Sequence, residues 1–276
     1  MRFAINIPNF GDFADARLVA ELAYEAEQAG WDGFFLWDHI GAAWPPAIAD
    51  PWIVLTAMAL RTERITLGPL VTPLPRRRPA KLAREAVTLD QLSNGRLVLG
   101  VGIGSDSGQE YSCFGESPDD KLHAAMLDEG LEVLMGLWSG ELFSHQGAHY
   151  TVNQARFLPK PVQQPRIPIW VAGVWPNKRP FRRAAQWDGV CPLGQAGLLS
   201  PAEIAEMRAY IAAHRTSAAP FEVALGGKSY EHDPAAAAAM LQAYAAAGVT
   251  WWMESFDWNN PLAQVRTLIR QGPPGQ

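Results

Sequence analysis

The chain has little cysteine, little charge and no long apolar or basic run, and each shortage excludes something. Its two cysteines, Cys113 and Cys191, lie far apart and neither belongs to a C-x-x-C pair. That argues against a disulfide framework or a dithiol redox motif and predicts a reduced, cytoplasmic protein. Charged residues make up 18% of the 276 positions, so much of the chain must be buried. Net charge is −5 and no long basic run is present, which argues against nucleic acid as a partner. No apolar stretch approaches the ~20 residues of a membrane helix, so no membrane partner is expected. The opening MRFAINIPNFGD reads as a strand, not a signal peptide. The histidines other than His39 (His123, His145, His149, His214 and His232) form no H-E-x-x-H or other zinc spacing, and no metal site is expected.

Complete nucleotide motifs are also missing. GRLVLGVGIGSDSGQEY, from Gly95 to Tyr111, sends a strand-like run into alternating glycines. The dinucleotide fingerprint G-x-G-x-x-G fails, because Ser105 or Ser107 stands where its last glycine belongs. No GK[ST] follows either.

What the chain does have is apolar residues, at 48%, arranged in a rhythm. Eight short segments read as strands buried on both faces: Phe3–Pro8, Gly33–Trp37, Ile65–Val71, Leu97–Ile103, Ile167–Ala172, Gly189–Pro192, Phe221–Leu225 and Val249–Met253. Helical patterns alternate with them, over Asp15–Gln28, Pro51–Arg61, Ala80–Leu92, a segment opening at Ser117 and running to Trp138, Lys178–Gln186, Pro201–His214, Pro234–Ala247 and Pro261–Arg270. EAEQAGWDGFFLWD and QAYAAAGVTWWMES repeat one joint: helix, glycine stop, apolar strand, polar end. The pattern predicts an α/β fold, a single-domain (β/α)8 TIM barrel over residues 1–276. A doubly wound open sheet is the rival, but NIPNFGD after the first strand is no phosphate fingerprint. Residues 140–165 break the rhythm and read as an insertion between helix 4 and strand 5, with a hairpin Phe143–Gln146/His149–Val152. Residues 272–276 read as a loose tail.

Active sites of such barrels lie at the C-terminal strand ends. Here those ends carry Asp38-His39, Gly102–Asp106, Gly173–Asn177 and Glu254–Trp258 among others, with Trp37, Trp44, Trp175, Trp252 and Trp258 on or near the rim. An aromatic rim suits a flat conjugated ligand; the alternative is that these indoles fill a large core.

WDGFFLWDHI, the long segment from Glu63 to Gly104, and PRIPIWVAG with AAQWDGV together resemble the luciferase-like monooxygenase superfamily, from Phe3 to about Ile269. The resemblance implies the same barrel and an oxidoreductase of small organic substrates that uses FMN or the deazaflavin coenzyme F420. It implies a homodimer and, in some members, a separate flavin or F420 reductase. Gly102, Gly104 and Ser105, with Ala172, Gly173 and Val174, would hold the cofactor's phosphate-bearing chain. Leu70, Val71 and Thr72 would lie along its ring system, with a non-proline cis peptide expected at Pro69–Leu70. Asp38 would contact the cofactor, and Asp38 and His39 would be the catalytic pair, with His39 as acid/base or oxyanion stabiliser. Some F420-dependent members carry a glutamate proton donor just after the glycine loop; Ser105 and Asp106 stand there here. The luciferase arginine for the FMN phosphate is replaced by Ile103 or Gly104, so the cofactor stays open between FMN and F420. The basic run Arg76–Arg78 would suit an acidic F420 tail, or would simply face water; Lys178, Arg179, Arg182 and Arg183 form a second such cluster.

Two other readings stand beside this one. A non-catalytic flavin-binding protein fits the absence of a standard proton donor at Ser105. A different barrel enzyme would use Asp38 and Glu254 as carboxylates facing each other across the mouth.

Overall fold

The computed structural model describes residues 1–41 and 47–275. Its central sheet runs through β1 (Arg2–Ile7), β2 (Gly33–Leu36), β3 (Thr66–Pro69), β4 (Thr72–Pro73), β5 (Leu99–Gly102), β8 (Ile169–Trp175), β9 (Gly189–Gly194), β10 (Glu222–Gly227) and β11 (Trp251–Ser255). The order is β3-β2-β1-β11-β10-β9-β8-β5-β4 and every pairing is parallel. β3 and β4 are two halves of one stave, parted at a cis Leu70–Val71 peptide. The expected cis bond therefore stands one residue further along than Pro69–Leu70. The ring closes where Leu67 N–H donates to Arg96 O (3.1 Å) and Val98 N–H donates to Leu67 O (2.9 Å). The nine strands thus make the eight staves of a TIM barrel.

Helices α1 (Ala16–Gln28), α2 (Pro51–Arg61), α3 (Pro79–Leu92), α4 (Asp120–Trp138), α5 (Lys178–Ala184), α6 (Pro201–His214), α7 (Pro234–Ala247) and α8 (Leu262–Gln271) surround it. Their starts follow local chemistry. Asp15, Asp50 and Asp233 accept from the first free N–H groups of α1, α2 and α7, and Ser200 with Glu203 closes a capping box on α6. The fourth helix opens later than its Ser117-Pro118 signal predicts. Ser117 Oγ accepts from Asp119 N–H in a local turn, and Asp119 becomes the cap, accepting from Lys121 N–H at 2.8 Å.

The insertion is a hairpin of β6 (Phe143–Gln146) and β7 (Thr151–Ala155). Its second strand starts after His149 and Tyr150, contrary to expectation, because both backbone N–H groups turn to the Glu129 carboxylate of α4. Pro273, in the stretch expected to be loose, is buried. Among the described residues no helix is long and apolar enough to cross a membrane.

Two apolar layers hold the barrel. The larger lies between staves and helices; the smaller fills the interior with Phe35, Val98, Trp170, Trp251 and Met253. The rings of Phe35, Trp170 and Trp251 meet with centroids 5.6–6.0 Å apart, so the barrel is plugged below its mouth.

Closure depends on Gly68. A Cβ there would lie 1.9 Å from the Val98 carbonyl oxygen, a backbone atom of the stave that completes the ring. Gly68→Ala is therefore expected to lower stability by about 3 kcal/mol, read as a lower urea midpoint. An unchanged midpoint would show that the closing bridge is dispensable.

Candidate active site at the barrel mouth

A cavity of about 1250 Å³ opens at the C-terminal strand ends. Asp38, His39, Leu70, Val71, Gly102, Gly104, Ser105, Ala172, Gly173 and Val174 all line it. Thr72 does not. It is fully buried, and its hydroxyl donates to Asp38 Oδ2 at 2.7 Å, so it supports the mouth from behind.

The basic run after the third stave turns inward. Arg76 and Arg77 side chains are only 4% and 17% exposed. Arg76 Nη2 donates to Asp38 O and Oδ1 (2.7 and 2.9 Å), and Arg77 Nη2 donates to both Asp38 carboxylate oxygens at 2.9 Å. Arg78 alone of the three is exposed. The expectation of a free basic loop is corrected for a physical reason: the buried Asp38 carboxylate requires compensating charge, and Arg76 and Arg77 supply it. Asp38 is thereby fully engaged as an anchor.

The residue that sequence reading missed is Glu110. From the loop after β5 it reaches back across the mouth. Arg76 Nη1 donates to Glu110 Oε2 at 2.7 Å, Ile40 and Gly41 N–H donate to Oε1 at 2.8 and 2.9 Å, and His39 Nδ1 lies 3.1 Å from Oε2. The only sequence signal was an acid six residues beyond Gly104 in a loop already under scrutiny. Asp106, nearer in sequence, accepts from Tyr111 and Ser112 N–H and shapes the loop instead. Burial pushes the Glu110 carboxyl up. The hydrogen bonds from His39 and Gly41 and the charges of His39 and Arg76 outweigh it and hold the carboxyl at about 2. An ionised carboxylate only accepts, so His39 Nδ1 carries a proton toward it, and proton exchange at this ring falls to Nε2. Phe10 and Trp37 meet the imidazole edge-on at 5.7 and 5.9 Å.

Gly104 and Gly173 answer to the protein's own packing as well as to the cavity. Gly104 has φ +76°, and a Cβ there would meet Tyr111 Oη at 2.7 Å. A Cβ on Gly173 would meet Pro180 at 2.5 Å. Bare backbone is thus demanded by packing, and it also leaves the loop open to the cavity.

The aromatic rim is mostly core. Trp37 lines the cavity and Trp258 is exposed. Trp175 and Trp252 are buried between staves and helices. Strand alternation decides this: Trp251 and Met253 point into the barrel, so Trp252 points out. Trp44 lies outside the described residues. Glu254 points outward as well, accepting from Ser229 N–H and Oγ and from Trp252 Nε1. Burial raises its pKa despite these bonds, and it does not line the cavity, so no Asp38–Glu254 pair spans the mouth. In the second basic cluster, Lys178 sits over the Trp175 ring (3.6 Å) and Arg183 pairs with Asp128. Arg179 is exposed and lines the cavity with Lys121.

Comparison with known proteins settles the lineage. The family model described as luciferase-like monooxygenase matches residues 1–269. The chain belongs to the luciferase-like monooxygenase family. It is 32% identical to an F420-dependent glucose-6-phosphate dehydrogenase of Amycolatopsis mediterranei over 186 residues, 65% of this chain and 54% of that one. It is 31% identical to the oxygenase component of a flavin-dependent trigonelline monooxygenase of Acinetobacter baylyi, over 59% of this chain and 44% of that one. The luciferase-like chain therefore spans about half the length of the curated relatives it matches. An F420-dependent secondary alcohol dehydrogenase in complex with an F420–acetone adduct superposes with TM-score 0.82 over 99% of this chain and 98% of that one, at 16% identity. That likeness concerns the fold.

Arg76 holds two carboxylates from two loops. Arg76→Met is expected to destabilise the fold by about 3–5 kcal/mol, because Asp38 and Glu110 then share a buried site with less positive charge; calorimetry or urea titration reads it. The depressed Glu110 pKa sets an acid limb. Its contribution is present above pH 4.5 and lost as pH falls from 4.5 toward about 2, amounting to about 3 kcal/mol. In Glu110→Gln that part of the acid limb should be missing; an identical acid profile would show that Glu110 is not held ionised.

Proposed function

We propose that this chain is an oxidoreductase that binds coenzyme F420 or reduced FMN in the barrel mouth and oxidises or reduces a small organic substrate beside His39. The observation that carries the reading is one cavity bringing together an open glycine-loop backbone, an apolar wall at Leu70 and Val71, and a histidine fixed by an ionised glutamate. When bound, the cofactor would supply hydride transfer or, as reduced FMN, reaction with oxygen. The rest falls to the chain's own residues. Gly102 at the end of β5 with Gly104 and Ser105 beyond it, and Ala172 and Gly173 from β8, flank the place for the phosphate-bearing chain, and Lys121 and Arg179 add positive charge to the cavity. Leu70 and Val71 give a flat ring system an apolar backing. His39 gives or takes the substrate's proton at Nε2, while Glu110 holds the imidazole and Asp38 holds Arg76. These residues weigh against a non-catalytic flavin carrier, which has no need of an oriented histidine.

F420 is the first reading, supported by the F420-dependent dehydrogenases among the relatives. Reduced FMN is the second, supported by the oxygenase component from Acinetobacter baylyi; it would need a separate flavin reductase as partner. We place the chain in the cytoplasm as a homodimer, in line with its free cysteines and its family.

Titration with F420, FMN and reduced FMN, followed by quenching of the eleven tryptophans, tests the reading. Micromolar binding of F420 alone supports hydride transfer, and preference for reduced FMN supports oxygenation. Binding of none of the three rejects both. With the cofactor identified, His39→Ala should keep its affinity and lose about 10²–10⁴-fold in kcat; full turnover without His39 would remove it from the mechanism.

A further inference from the structure

The reading above leaves the substrate's chemistry open, and one wall of the cavity speaks to it. Val174 and Leu193 sit opposite each other in the register of β8 and β9. They are 36% and 58% exposed, and Leu198 from the loop after β9 is 45% exposed. All three line the cavity, with Pro192 beside them. Three large aliphatic side chains on adjacent elements, left open to solvent at the mouth of a concave site, form a patch that gains free energy only when something apolar covers it. The polar groups next to it do not favour an anion. Lys228, at the end of neighbouring β10, lies 3.1 Å from Asp257 and 3.5 Å from Glu231, and Glu231 itself lines the cavity. Lys121 and Arg179, which make no ion pair among the described residues, line the cavity at the starts of α4 and α5, where the cofactor's own phosphate would lie on the proposed reading.

We infer that the wall formed by Val174, Leu193 and Leu198 is the substrate subsite, and that it takes an uncharged organic molecule with an apolar body rather than a sugar phosphate. The inference rests on the oxidoreductase reading for the word substrate, but the subsite itself is tested without a cofactor. The substrate's reacting oxygen then faces the polar side at His39 while its hydrocarbon portion covers the leucines. A phosphorylated sugar would leave this wall bare and bring its dianion against Glu231.

Two probes decide it on the whole chain: 2-naphthol, flat and neutral at pH 7, and glucose 6-phosphate, polar and dianionic. Binding is read by tryptophan quenching and by calorimetry. The expected result is 2-naphthol at least about tenfold tighter than glucose 6-phosphate, and a further loss of about tenfold for 2-naphthol alone in the Leu193→Glu/Leu198→Glu double variant. Both positions are solvent-exposed, so the variant should fold; Leu193→Gln, with a smaller expected loss of about threefold, serves if it does not. Equal binding of the two probes, or naphthol binding untouched by these variants, overturns the inference. A lower solution mass of the variant also overturns it, because the patch would then belong to an interface between copies. Failure of F420 and FMN to bind would sink the oxidoreductase reading while leaving the naphthol comparison intact. Cofactor binding with no probe preference would sink the subsite alone.

Discussion

The mouth of this barrel depends on one buried guanidinium. Arg76 leaves the third stave, turns inward and bridges Asp38 at the end of β2 to Glu110 in the loop after β5. Three separate strand ends are thereby tied by charge-assisted hydrogen bonds in a site shielded from water, where such bonds are strong and an unpaired partner is costly. His39 and Thr72 are tied to that bridge through Glu110 and Asp38.

The bridge also divides labour among the acids. Asp38 is locked by two arginines and a threonine, and Glu110 by one arginine, two backbone N–H groups and a histidine. Neither is left to shuttle a proton, and Glu110 stays ionised through the working pH range. His39, held by Glu110 and lining the cavity, is the group to which the proposed proton exchange falls. Catalytic chemistry of the proposed kind needs such an arrangement: fixed charges that orient, and one group that exchanges.

The apolar plug beneath the mouth has a complementary role. Phe35, Trp170 and Trp251 fill the barrel interior, and Cys191, Ala224 and Met253 line the cavity that opens at the strand ends. One wall of the space is then polar at His39 and another apolar at Val174 and Leu193. Selectivity in a site of this kind comes from matching both at once.

Much of this was legible beforehand. Apolar runs of strand length, alternating with capped helices and glycine stops, specify a parallel barrel because each segment's period and its end signals are local properties. The segment from Glu63 to Gly104 carried the family, and the strand-end rule put His39 and the glycine loop at one mouth. Side-chain direction on a stave was less legible: a shift of one residue separates Trp251 in the barrel from Trp252 outside it, and moves the cis bond from Pro69–Leu70 to Leu70–Val71. Long-range pairing was not legible at all. Arg76 and Arg77 read as a solvated basic run until two distant carboxylates were brought against them, and Glu110 read as one more loop acid until the barrel closed and set it beside His39. The sequence by itself determined the staves, the helices and the end of the barrel at which ligands bind, because propensity, capping and periodicity act between near neighbours in the chain. Only the tertiary structure decided which charges meet there, because residues 34 to 71 positions apart in sequence are joined by barrel closure and not by any local pattern.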